Sequence, residues 1–148
     1  MIKRNYVLGS ALSAALLVAA GAAAAAGPAG GATALSPAQQ KVVAKKTAKM
    51  SKAENEIIAG WSDGKKLGEF FCAPAALAKF KREVKGADRV ALGPDDEGVK
   101  QFMLDGNRKL SGRGTVRTPG NWKNFTFECV LDPETAAVTS FTYEFEAN

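Results

Sequence analysis

Apolar and polar residues alternate along the last third of the chain. Leu110, Gly112, Gly114, Phe125, Phe127, Cys129, Leu131, Phe141, Tyr143 and Phe145 interleave with Ser111, Arg113, Thr115, Arg117, Asn124, Thr126, Glu128, Ser140, Thr142, Glu144 and Glu146. A period of two is the mark of strands that bury one face and wet the other. It predicts strands over 110–117, 122–131 and 137–145, joined by the turn Thr118-Pro119-Gly120-Asn121 and the loop Asp132-Pro133-Glu134-Thr135. If that turn pairs Thr118 with Asn121, the whole ladder of the first hairpin follows. Leu110 then opposes Cys129, Gly112 opposes Phe127, Gly114 opposes Phe125, and Arg117 opposes Trp122, the one large apolar residue on the wet face. On this reading Gly112 and Gly114 leave room for neighbouring rings to lie across a crowded inner face. A phosphate-cradling glycine loop is excluded because no helix follows them.

Upstream, the period lengthens to that of a helix. Ser36-Pro37-Ala38-Gln39 has the form of a capping box with proline in the first turn, and Gly60 is a stop, so one helix is expected from about 37 to 59. Lys41, Lys45, Lys49 and Lys52 fall within an arc of about 80° on it, with Val43, Met50 and Ile57 on the far side. Trp61-Ser62-Asp63-Gly64 reads as a turn and residues 65–71 as a short ordered approach to Cys72. Pro74 opens a second helix with Leu77, Phe80 and Val84 on one face, and Gly86 ends it. Asp88 to Leu92 is a short strand closed by Gly93-Pro94. The expected class is therefore α+β: an antiparallel meander of three strands or slightly more, helices packed on one face, and a long amphipathic helix in front.

The front of the chain has a different composition. Lys3 and Arg4 precede an uncharged run from Tyr6 to Ala26, and both Ala24-Ala25-Ala26 and Ala32-Thr33-Ala34 fit a cleavage site. This is the form of a secretory signal peptide over 1–26, cut after Ala26 or Ala34, followed by a Gly/Ala linker over 27–35. A retained anchor is the rival, but the run is mostly alanine and only weakly apolar. The expectation is a periplasmic or secreted protein without an integral span after cleavage, divided into the lysine-rich helix over 36–59 and a domain over 60–148.

Charge sharpens that division. The net charge of +5 comes from residues 3–4 and from five lysines against two glutamates in 35–59, whereas 60–148 hold 13 of each sign. The lysine face is either a solvated helix side or a contact for an anionic surface or polymer. Nucleic acid is disfavoured, because no aromatic residue is interleaved with the lysines between Leu35 and Ile58 to stack on bases.

The absence of histidine from the sequence removes the commonest general base and metal ligand, and two cysteines cannot build a zinc cluster. No catalytic residue, cofactor or metal is expected. Asp95, Asp96 and Glu97 lack the ligand spacing of a calcium loop, which leaves a solvated acidic loop as the plainer reading. Cys72 precedes the second helix and Cys129 points inward from the sheet, so in an oxidising compartment they are expected to bond. A reduced catalytic thiol is the alternative, without a histidine or C-x-x-C spacing to support it.

The motifs W-S-D-G-K-K-L (61–67), F-F-C-A-P-A-A-L (70–77), G-A-D-R-V (86–90) and G-N-W-K-N-F-T-F-E-C (120–129) together resemble a family of exported Gram-negative bacterial proteins catalogued as domain of unknown function 930. The resemblance spans about residues 56–145 and implies an exported location and a cysteine pair. It implies no activity.

Two functional classes remain in view. The first is a monomeric, non-enzymatic envelope protein that binds an envelope protein or an anionic polymer. Arg113, Arg117 and Trp122 are then the contact residues, the plainer alternative being a stacked cation-π pair alone. Lys41, Lys45, Lys49 and Lys52 would serve an anionic surface. The second is a hydrolase using Asp63, Asp88 or Asp105 as acid and base, which requires two of them to converge in one cleft.

Overall fold

A computed structural model of the protein describes residues 34–93 and 102–147, all within the unit Ala32–Asn148. The expected signal peptide, most of the linker, and the acidic loop residues Asp95, Asp96 and Glu97 lie outside the described residues. The linker ends earlier than expected. Leu35 is buried in the core, and the Ala34 amide donates to the Asp63 carboxylate at 2.7 Å, so these two residues already belong to the fold.

The lysine-rich stretch forms two helices, α1 (Pro37–Thr47) and α2 (Lys52–Ala59), where one was expected. The break has a local cause. Ser51 and Glu54 make a second capping box, with the Ser51 hydroxyl accepting from the Glu54 amide while the Glu54 carboxylate accepts from the Ser51 amide. A serine with a glutamate three residues on starts a helix afresh even inside a helical pattern. The restart also changes the buried stripe: Ile58 is buried, while Ile57, expected inside, is 64% exposed.

Ser62 starts a further helix as a simple N-cap, its hydroxyl accepting from the Lys65 amide. It caps α3 (Asp63–Leu67), so the expected turn at 61–64 is a helix start, and the chain continues through one π-helical turn, Gly68–Cys72, into α4 (Ala73–Glu83). Pro74 lies in the first turn of α4, directly after the π turn, and offers no N–H to the carbonyls of that turn; the Phe70 carbonyl accepts from Lys46 instead. Phe80 is fully buried as expected, but Ala76 is the second buried residue of that face, with Val84 only half-buried. The small Ala76 side chain lets the helix lie close to its neighbours.

Among the described residues the sheet has five antiparallel strands: β1 (Arg89–Leu92), β2 (Phe102–Asp105), β3 (Lys109–Thr118), β4 (Asn121–Asp132) and β5 (Ala137–Phe145). The expected meander is β3-β4-β5. β1 and β2 are added along the outer edge of β3, β1 beside Gly114 to Arg117 and β2 beside Lys109 to Gly112. The β3–β4 register is the one expected from the turn, with Thr118 opposite Asn121 and Leu110 opposite Cys129. One bulge between Val130 and Leu131 adds Thr139 to β5.

Helices cover the inner face. Phe80 of α4 sits among aromatic rings of the sheet, 4.8 Å from Phe125 and 4.3 Å from Tyr143 between centroids. Phe145, at the edge of this cluster, is 42% exposed. Cys72, in the π turn, is bonded to Cys129 of β4 across 57 positions with 6.0 Å between Cα atoms, joining helical layer to sheet.

Candidate partner-contact site

The β3–β4 hairpin carries Arg117 and Trp122 side by side on the outer face, because the tight turn makes them a cross-strand pair. Its tip is held from below. Pro119 packs so close to Gly86 that a Cβ at Gly86 would stand 2.5 Å from the proline ring, and Gly86 has φ +77°, a conformation glycine adopts freely. Within the turn, Thr118 donates to the Asn121 carbonyl at 3.2 Å and the Trp122 amide donates to the Asn121 side chain at 2.8 Å.

Arg117 is held at both ends of its planar group. Its Nε and an Nη each donate to Asp88 at 2.7 Å, a bidentate pair, while its Cζ lies 5.9 Å from the Trp122 ring centroid. The guanidinium holds the Asp88 carboxyl below the usual carboxylate range, and Asp88 raises Arg117 in turn. Trp122 remains 45% exposed. The result is a flat indole held against a fixed cation on a tethered hairpin.

Arg113 stands four residues back along the same face. It makes its own bidentate pair with Glu146, at 2.5 and 2.7 Å, which lowers the Glu146 carboxyl. Arg113, Thr115, Asn124, Glu146, Gly93 and Gly114 line a shallow depression of about 230 Å³. Both arginines expected to meet a partner thus already hold a carboxylate of this chain. Asp88 and Glu146 were invisible as their partners in the sequence because only the placement of β1 and the end of β5 brings them there.

The lysines lie elsewhere. Lys41, Lys45, Lys49 and Lys52 are all exposed, and among the described residues only Lys52 is in an ion pair, a loose one 3.8 Å from Glu56. Lys46 turns the other way, donating to the Phe70 carbonyl and standing 5.8 and 5.7 Å from the Phe70 and Phe71 ring centroids. Burial lowers its pKa.

The three aspartates proposed as acid and base are on separate elements. Asp63, in the first turn of α3, accepts from Ala34; Asp88, before β1, is occupied by Arg117; Asp105 ends β2 and is exposed. None of them lines the depression beside Arg113, the one over Thr126 to Glu128, or the groove along α2.

The model of the family described as Domain of Unknown Function (DUF930) matches residues 65–148, more than half of the chain. The chain belongs to that family. The matched DUF930 region holds both cysteines, α4, the five strands and the Arg117–Trp122 pair, whereas α1 and α2 with their lysines precede it. No curated protein and no solved structure matches this DUF930 chain.

Proposed function

We propose that this DUF930 protein is a small exported protein of the cell envelope that works by holding a partner rather than by catalysis, with Trp122 and Arg117 as its contact. The observation that carries this reading is the exposed Trp122 ring on a hairpin tethered through Asp88, Gly86 and the turn. Exposed tryptophan that is already rigid loses little freedom on binding, and Trp and Arg are both among the residue types enriched at interface hot spots. Export is supported by the charged start, apolar run and small-residue sites of residues 1–34, and by a disulfide of the sort that persists outside the cytosol. The partner is an envelope protein or an anionic polymer.

The test compares wild-type and Trp122→Ala proteins as baits for an extract of the native envelope. The variant is expected to lose at least tenfold in capture, as hot-spot truncation does, while its melting temperature stays within a few degrees. Equal capture by both proteins removes this site.

A further inference from the structure

The second feature that points to a ligand is the corner between α1 and α2. Along α1, Gln39, Val42, Val43 and Lys46 face the domain, which leaves Lys41 and Lys45 outward; Lys49, just past the end of α1, is exposed as well, and none of these three lysines has an ion-pair partner among the described residues. The corner then turns at Ser51, and an apolar stripe begins where the lysine row ends. Met50, Glu54, Ile57, Ile58 and Trp61 line an open groove of about 270 Å³. Met50, at the start of this groove, lies between Lys49 and Lys52 in the chain, and both lysines are exposed. Ile57, 64% exposed, is the apolar residue at its mouth.

We infer that this corner is a peripheral docking surface for an anionic phospholipid bilayer. The four lysines meet phosphate headgroups, while Ile57 and the groove beside Trp61 reach the boundary of the acyl layer. Charge complementarity selects the ligand sign, and the apolar groove selects the bilayer over other anions. A soluble polyanion offers negative groups but nothing apolar to cover Ile57, whereas an anionic membrane offers both, one beneath the other. Among the described residues no helix is long and apolar enough to cross a membrane, so contact at this corner is with the surface. The inference shares with the proposed function only the export of the chain; it uses a different face, outside the matched family region.

The unit Ala32–Asn148, with its own core and disulfide, is the material for the test. Flotation with vesicles of phosphatidylcholine containing one quarter phosphatidylglycerol is expected to carry it up, and pure phosphatidylcholine vesicles are not. Raising salt from about 50 mM to about 500 mM is expected to release most of it. Each lysine near a charged membrane is worth about fivefold, so replacing Lys41, Lys45, Lys49 and Lys52 by Gln together should weaken binding by on the order of a hundredfold or more. Ile57→Ser should weaken it by about tenfold with an unchanged melting temperature. In a Trp122→Phe background, Trp61 emission should shift to the blue on vesicle binding. Trp122→Ala should float like wild type, which separates this surface from the hairpin site. Equal flotation of the lysine variant, or equal binding to pure phosphatidylcholine, would overturn the inference. So would polyphosphate binding as tight as vesicle binding with Ile57→Ser without effect, which would mark the lysines as a site for soluble polyanions.

Discussion

At Gly114 a single missing methyl group decides how closely two strands and a ring approach. A Cβ there would stand 2.7 Å from Phe125 Cζ, 2.8 Å from the Ala91 carbonyl oxygen and 3.0 Å from Leu92 Cδ2. A flexible side-chain end can swing aside; the Ala91 oxygen cannot, since it belongs to the backbone of β1 paired with β3. Gly114→Ala is therefore expected to cost about 2–3 kcal/mol, toward the top of the usual range for overpacking. Ser111→Ala, on the opposite face of the same strand, should stay within about 0.5 kcal/mol. Urea unfolding of the two variants checks the contrast. The role of Gly114 was legible in the sequence, because alternation and one turn place it opposite Phe125. The clash with Ala91 was not, because the pairing of β1 with β3 spans more than twenty residues and leaves no local pattern.

Among the elements, α1 shows how a surface helix is tied down by its first turn. Gln39 is fully buried: its side-chain oxygen accepts from the Ser36 amide at 2.9 Å and its side-chain nitrogen donates to the Asn107 carbonyl at 2.8 Å. Ser36 in turn donates from its hydroxyl to the Pro133 carbonyl at 2.6 Å. One capping box thus pins the helix start to the β2–β3 and β4–β5 loops. Gln39→Ala leaves the Ser36 amide and the Asn107 carbonyl without these partners, for a loss of about 1–3 kcal/mol. Hydrogen exchange should show the loss first in the amides of residues 40–47, ahead of those in the sheet. The sequence marked Gln39 as a cap residue from its spacing to Ser36. Its second bond, across 68 positions, depends on the loop the helix meets. The break between α1 and α2 was readable in Ser51 and Glu54, but the lysine periodicity running through it suggested a single helix.

For the molecule as a whole, the bond between Cys72 and Cys129 is the main constraint between layers. It closes a loop of 57 positions, and the chain-entropy model assigns such a loop about 4 kcal/mol of stability through restriction of the unfolded chain. Replacing both cysteines by alanine, or adding reductant, should lower stability by about that amount, read as an earlier guanidinium midpoint. A midpoint that does not move would mean that the core holds the layers together without it. Both sulfurs lie in the fully buried interior, Cys72 in the π turn ahead of α4 and Cys129 on the inner face of β4.

Local rules determined much of this protein on their own: the three-stranded meander and its register, the helix cap at Ser36, the inward sides of β3, β4 and β5, and the Arg117–Trp122 pair. Each follows from periodicity or from turn chemistry, which act between residues a few positions apart or across one hairpin. Only the tertiary structure decided that β1 and β2 extend the sheet, that Asp88 and Glu146 occupy the two arginines, that Lys46 turns inward while Ile57 turns out, and that an apolar groove opens beside the lysine row. These depend on which surfaces meet after collapse, and contacts between distant segments are chosen by shape and charge in three dimensions rather than by spacing along the chain.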